Sequence, residues 1–347
     1  MAKKISVTII GFSGLIREFI KLIRFKDDLT KSLASFPIKE INSFTIEDIR
    51  IEKIIDIDSK KVGKRVGALL FEDKEFLEIE IESGISEENS EILRQYGLRE
   101  ITTISYEELV SAIKSSKPDV IVLSIGSYAE KSAKAYARLA LDTGAGLINT
   151  SSIPLSQSAE LINSFREKQC PFVGDHLRGY IDLRDLVKNL IDMLSIFPLE
   201  IKELYEMKFL CQDKSPNYQY LRRIYEEEDL LMNTIYEKPE HKGLGVSIRK
   251  GPEDLEFSKV WLNMSDPLQR ILEIHLSWRF FNKFLRAIAL LDLIRLVAVL
   301  KKRGIGGFID TLAKIYFYSP GGKKYIPLEE RLKMLNDFLS NYTQIST

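Results

Sequence analysis

The stretch VTIIGFSGLIREFIKL, residues 7–22, limits what this chain can fold into more than any other. A β-branched apolar run stops at Gly11, and apolar residues at helical spacing follow Gly14. A strand that ends in Gly-x-x-Gly and opens a helix aims backbone N–H groups at one point, where a pyrophosphate is well held. Gly11 suits the tight turn and Gly14 a close approach, with Phe12, Ser13, Leu15 and Ile16 forming the rest of the turn and the helix start. The full G-x-G-x-x-G spacing is absent, because Ser13 and Ile16 stand at its second and third glycine positions. An ordinary strand–helix turn has the same look, so the rest of the chain must decide.

Strand-like and helix-like segments alternate from residue 5 to 175. ISVTII, IRIEKIIDID, KPDVIVLSIG, AGLINTSS and CPFVGD read as strands; GLIREFIKLIRF, SYEELVSAIKSS, EKSAKAYARLALDTG and SAELINSFREKQ read as helices. Ser105 is placed as an N-cap and Gly144 as a C-terminal stop. This order predicts an α/β fold with a doubly wound parallel sheet. After Gly174 the pattern changes. LRDLVKNLIDMLSIF reads as a helix and IKELYEMKFLC as a half-exposed strand. LEFSKVWLNMS and LQRILEIHLSW fit two strands, or one strand and a helix, giving an α+β region. The chain then returns to helices in KFLRAIALLDLIRLVAVLKKRG and IGGFIDTLAKIYFYS.

In a dinucleotide-binding sheet an acid for the adenosine ribose follows the glycine turn by roughly 20 residues. Here Asp56 and Asp58 follow Gly14 by more than 40, which requires an insertion, DDLTKSLASFPIKEINSFTIEDIR, before the second strand. Two further strands end in small polar residues, Ser124, Gly126 and Ser127 in one, Asn149 and Thr150 in the other. Such residues at the carboxyl ends of parallel strands lie where open sheets bind ligands. Together with the glycine turn they predict a dinucleotide.

Fifty basic and fifty acidic side chains cancel, leaving no electrostatic footprint for nucleic acid. Cys170 and Cys211, and the scattered His176, His241 and His275, form neither a disulfide framework nor a zinc pattern. The most apolar stretch, FLRAIALLDLIRLVAVL, carries Arg286, Asp292 and Arg295. Those charges argue for a buried helix, not a membrane span. The N-terminus lacks an apolar run of signal-peptide length, so the expected setting is the cytoplasm. The charge run YEEEDLL reads as a solvated helix face.

Taken in order, VTIIGFSGLI, IIDIDSKKVGKRV, PDVIVLSIGSYAEKSAKAYARLALDTGAGLINTSSIP, PFVGDHLRG, LDLIRLVAVLKKRGIGG and YFYSP resemble the inositol-3-phosphate synthase family. The resemblance implies a Rossmann-type NAD-binding domain over 1–185 and an inserted α+β domain for catalysis and oligomer contacts over 186–280. A helical return to the first domain would follow over 281–347. It implies NAD bound by the residues above together with Asp175, and a phosphorylated sugar as substrate. The implied reaction turns glucose 6-phosphate into inositol phosphate by internal oxidation, aldol closure and reduction, in the service of inositol and phospholipid biosynthesis. A homo-oligomer, dimer or tetramer, is implied too.

The chain departs from the family at its lysines. Arg178 stands where GxxxK carries one, Arg270 falls near another, and Tyr318 replaces the lysine of KSP. LRRIYEEE, with Arg222 and Arg223, lies where SKxxSK is expected; Asp292 is kept, while its companion acid reads Asn282. Arginine can still hold a phosphate bidentately but stays protonated. Lys208, Lys214 and Lys314 are the possible substitutes for proton transfer, with Tyr318 a possible acid. Arg178, Arg270, Asp292, Tyr318 and Lys208 are therefore the candidate catalytic set. Two alternatives stand beside the isomerase: a non-catalytic NAD-binding paralogue that pairs with or regulates a synthase, and an NAD-dependent dehydrogenase acting on another phosphorylated substrate.

Overall fold

The computed structural model describes residues 4–31, 37–71, 78–181, 183–212, 225, 241–250, 256–280, 282–318 and 326–342. Lys214, Arg222, Arg223 and the YEEEDLL run, Tyr225 apart, lie outside the described residues. Two compact units divide the chain. One comprises Met1–Tyr180, Arg286–Lys323 and Arg331–Thr347; the other Ile181–Leu285 and Lys324–Glu330.

The first unit holds strands β1 (Ile5–Ile10), β2 (Ile49–Asp56), β3 (Ile81–Ser83), β4 (Val120–Leu123), β5 (Gly146–Asn149) and β6 (Pro171–Val173). Its helices up to this point are α1 (Gly14–Arg24), α2 (Lys26–Lys31), α3 (Val66–Leu70), α4 (Ser90–Gln95), α5 (Tyr106–Ser116), α6 (Glu130–Thr143) and α7 (Ala159–Glu167). The second unit contributes α8 (Leu183–Leu194) and strands β7 (Glu200–Gln212), β8 (His241–Lys250), β9 (Glu256–Ser265) and β10 (Ile271–Phe280). Then come α9 (Asn282–Lys302), β11 (Gly307–Phe308), α10 (Asp310–Tyr316) and α11 (Leu328–Tyr342).

The first sheet runs β11-β6-β5-β4-β1-β2-β3, with every pairing parallel. Parallel strands are covered on both faces, so they read as unbroken apolar runs. Ile5, Val7, Ile9, Val120, Ile121, Val122 and Leu123 are accordingly buried. On one face α5, α6 and α7 pack Leu109, Ile113, Ala133, Tyr136, Ala140 and Phe165 against Ile10, Ile55, Leu123 and Leu147. α9 comes close to β5 at Gly146, where an added Cβ would lie 2.5 Å from Val297 Cγ1. The buried-helix expectation for this stretch holds, since Ala287 and every residue from Ala289 to Leu300 are at most 1% exposed. Among the described residues no helix is long and apolar enough to cross a membrane.

Helix ends follow local chemistry. Ser105 and Glu108 form a capping box at the start of α5, and Gly144 closes α6 in the left-handed conformation. Chain order reverses between β1 and β4: β2 and β3 lie to one side, β4, β5 and β6 to the other. That reversal opens a crevice at the carboxyl ends of β1 and β4.

The second unit is a mixed sheet in the order β10-β9-β7-β8. Both segments left open between strand and helix are strands, β9 and β10, paired antiparallel over ten residues. Leu204, Val260, Leu262 and Met264 point to one face and pack with Val187 and Ile191 of α8.

Candidate functional site

The crevice at the switch point has a volume of about 600 Å³, its open mouth included. Its floor is the β1–α1 turn. Gly11 adopts φ +93° and donates its N–H to Ile55 O at 2.7 Å. A Cβ there would sit 2.3 Å from Ser124 O, so glycine alone lets the turn lie against the end of β4. Ser13 caps α1, its Oγ 3.4 Å from the Ile16 N–H and 2.7 Å from Ser124 Oγ. The N–H groups of Gly14 and Leu15 open the helix, where a helix offers them no internal acceptor. Ile16 is a core residue with no exposure.

Asp56, the last residue of β2, forms a second wall. Its Oδ1 accepts from Ile57 N at 2.8 Å and Asp58 N at 2.9 Å. Its Oδ2 accepts from Phe12 N at 2.8 Å and Lys61 Nζ at 3.1 Å. The acid is thereby tied to the glycine turn, which explains how the two are held together despite the long connection between them. Asp58 is not among the crevice-lining residues; it accepts from Lys60 N at 3.1 Å and lies 3.9 Å from Lys61 Nζ.

Gly126 continues the rim after β4. Tyr128 lines the crevice and stacks on Tyr96, ring centroids 4.4 Å apart, and a Cβ at Gly126 would overlap the Tyr128 ring. Burial, with Asp56 and Glu88 adding to it, raises the Tyr128 hydroxyl above its ordinary range. The sequence reading missed Lys61 and Tyr128. The signal for both was position alone: Lys61 in the turn after the ribose-side acid, Tyr128 two residues past the glycine ending β4.

The ends of β5 and β6 carry a separate polar cluster in the same unit. Asn149, fully buried, donates to Asp175 Oδ1 at 2.7 Å and to Ile153 O at 2.8 Å. The Ser156 N–H donates to Asp175 Oδ2 at 2.9 Å, and Thr150 Oγ1 to Leu123 O at 3.0 Å. Burial pushes the Asp175 carboxyl up to about 6, against the pull of the Ser156 and Asn149 hydrogen bonds. Next along the chain, residues 176–179 run beside 316–318. Arg178 N donates to Tyr316 O at 2.8 Å and Tyr318 N to His176 O at 3.0 Å. The Arg178 guanidinium lies 5.3 Å from the Tyr318 ring, and His176 meets that ring edge-on at 5.0 Å. Arg178 and Tyr318 are therefore together, with His176 as a third member that sequence reasoning had left among the scattered histidines.

Asp292 has another setting. It is fully buried, accepts from the Ile38 N–H at 3.1 Å, and is bound by the Tyr180 hydroxyl and the Arg295 guanidinium. Arg295, also fully buried, donates further to Leu291 O at 3.1 Å and to Lys39 O and Phe44 O at 3.4 Å. The pair thus clamps the insertion before β2 onto α9. Burial raises the Asp292 carboxyl to about 6, while Arg295 and Tyr180 pull it down.

Lys208 and Arg270 belong to the second unit. Lys208 is buried on the same face of β7 as Glu206, which pairs with Arg184 at 3.2 Å. Arg270 sits in the turn between β9 and β10, three-quarters exposed, its guanidinium on Asp266 at 2.6 Å. Lys314 is paired with Asp310 at 2.6 Å.

No family model matches the chain. Over 188 residues, 51% of its length, it is 20% identical to an inositol-3-phosphate synthase of Mycobacterium tuberculosis (strain H37Rv). A second M. tuberculosis protein of that name, from strain CDC 1551, gives the same figures. The chain spans about half the length of the curated relatives it matches, 51%. Among solved structures it is similar to a myo-inositol-1-phosphate synthase-related protein of Thermotoga maritima, with TM-score 0.77, 16% identity and coverage of 99% and 100% of the two chains. A protein named Ari2 gives TM-score 0.76, 19% identity and coverage of 98% and 100%. An inositol-3-phosphate synthase of Caenorhabditis elegans gives TM-score 0.70, 11% identity and coverage of 100% and 87%. The resemblance first carried by motifs is met in sequence over half the chain and in fold along nearly all of it.

Proposed function

We propose that this chain is a divergent member of the inositol-3-phosphate synthase family that holds NAD in the β1–β2–β4 crevice and isomerises a phosphorylated sugar with no net redox change. NAD, when bound, supplies the hydride acceptor and later the donor. The Gly14 and Leu15 N–H groups hold the pyrophosphate, and Asp56 faces the adenosine ribose. Arg178, stacked on Tyr318, holds the substrate phosphate. Lys208, buried on β7, is the candidate amine for moving a proton, and Arg270 remains a candidate cation. Asp292 stands outside this chemistry, because both its oxygens are engaged within the core.

The single observation that carries the proposal is the tie of Asp56 to the Phe12 N–H beside a glycine that no other residue can replace. An acid held beside the glycine turn is what a dinucleotide site uses, and that supports this reading over an ordinary strand–helix turn. The experiment is to incubate purified protein with NAD and glucose 6-phosphate, then measure inositol phosphate and NADH absorbance. Product without NADH accumulation is the expected result. Accumulating NADH would instead favour a dehydrogenase. The non-catalytic alternative draws on the exchange of family lysines for Arg178 and Tyr318, and it predicts NAD retained on purification with no turnover. The same proposal carries a cytoplasmic homo-oligomer, dimer or tetramer, to be read by light scattering.

A further inference from the structure

Resting on the reading of the chain as an internal-redox isomerase, we infer that His176 is a further catalytic residue, the base that takes the sugar's hydroxyl proton during oxidation and returns it during reduction. The internal oxidation sends the hydride of one C–H bond to the nicotinamide ring. The hydroxyl on that carbon must lose its proton as the carbonyl forms, and the closing reduction reverses both transfers, so one group at this place serves both steps. Among the residue types gathered around Tyr318, a guanidinium keeps its proton and a phenol releases one only in base, whereas an imidazole exchanges one near neutrality. His176 is the one histidine of the first unit. Asp175 beside it is already engaged, one oxygen accepting from Asn149 and the other from the Ser156 N–H.

Place supports the chemistry. With the adenosine ribose on Asp56, a dinucleotide crosses the switch point and its nicotinamide half lies over the ends of β4 and β5. Hydrogen bonds run along that edge from the crevice to His176. Thr150 N and Oγ1 donate to Leu123 O, at the end of β4, at 2.9 and 3.0 Å; Leu177 N donates to Thr150 O at 3.2 Å and His176 N to Ser151 O at 2.7 Å. The His176 ring meets the Tyr318 ring at 5.0 Å, and the Arg178 guanidinium stands 5.3 Å from that same ring. A phosphate on Arg178 therefore leaves the body of the sugar within reach of the imidazole. Arg178 is buried, while His176 and Tyr318 are partly exposed, which keeps the imidazole open to an incoming ligand. His176 also holds a φ of +64°, a left-handed conformation uncommon outside glycine, and its N–H and carbonyl are both pinned, to Ser151 O and Tyr318 N. Backbone outliers of this kind gather at active sites.

The test uses the full chain with His176→Asn and His176→Gly, two residues that accept the left-handed backbone; circular dichroism would confirm that both fold. With NAD and glucose 6-phosphate, each variant should form inositol phosphate at least about 100-fold more slowly than wild type. Calorimetric affinities for NAD and for glucose 6-phosphate should stay unchanged, and added imidazole should restore part of the turnover of His176→Gly. A second readout needs no turnover. In histidine-labelled protein, the ring signals of His176, assigned by their loss in His176→Asn, should move when glucose 6-phosphate is added. Unmoved signals, or His176→Asn turning over like wild type, would overturn the inference and leave the isomerase reading standing. Loss of either affinity along with turnover would make His176 a packing or binding residue and overturn it too. No product from wild type would overturn both.

Discussion

Asp56 and Asp292 are two acids of the same unit that solve the problem of a buried carboxylate in opposite ways. Asp56 lies at the rim of an opening, and three of its four donors are backbone N–H groups of adjoining turns. Asp292 is sealed, with a guanidinium, a phenol and one N–H around it. The first arrangement leaves one exchangeable partner, Lys61. The second leaves none, and its work is to hold two distant stretches of chain together. In the bare sequence Asp56 ends an apolar run and Asp292 lies in the middle of one, and residue type alone does not separate a crevice-lining carboxylate from a tether.

The largest effect tests the tether. Asp292→Ala should cost about 3–5 kcal/mol, because it leaves the Arg295 charge buried without its counter-ion. Adding Arg295→Met should recover much of that loss in urea denaturation. If the single variant lost nucleotide binding while its stability held, the division between the two acids would be wrong. Gly11→Ala comes next, at about 2–4 kcal/mol from strain and overlap with Ser124 O. It should also abolish NAD retention, so a variant retaining NAD would break the claim that the β1–α1 turn is the crevice floor.

Asp175 sharpens the contrast through pH. Folded, its carboxyl keeps the proton up to about pH 6, whereas the unfolded chain releases it near pH 4. Between those values the folded state binds more protons, so stability falls as pH rises, by up to roughly 3 kcal/mol. Asp175→Asn should remove its share of that slope, leaving the part due to Asp292, whose carboxyl is raised to about 6 as well, read from denaturation midpoints across the range. Smallest is Ser13→Ala, expected to cost about 1 kcal/mol through loss of the α1 cap, with a modest loss of NAD affinity. No change in either would remove Ser13 from the crevice.

Much of this architecture was legible because parallel strands advertise themselves. KPDVIVLSIG centres on an unbroken VIVL run and ISVTII is dominated by β-branched residues, and Ser105 and Gly144 mark helix ends by local bonding alone. LQRILEIHLSW was ambiguous because its apolar residues fit either period, and its strand identity is decided by pairing with β9. At the site the glycine turn and Asp56 could be read, since their chemistry demands those residue types. Tyr128 and His176 could not, because tyrosine and histidine occur anywhere and only long-range packing brings them into place; Lys61 lies five residues past Asp56, but its residue type alone did not mark it. The sealed state of Asp292 was hidden for the same reason: Ile38 and Tyr180 reach it only in the finished fold, whereas Arg295 is its neighbour one turn along α9.

The edge strand β11 and the helix α9 have a consequence for synthesis. The parallel sheet gains its last strand, on β6, from residues 307–308, and among the described residues the insertion before β2 is anchored on α9 by Asp292, Arg295 and Lys302. On a ribosome the amino-terminal half must therefore wait, incomplete, while the intervening unit emerges. Chaperone dependence during translation, more than thermal fragility afterwards, is where this topology should exact its toll.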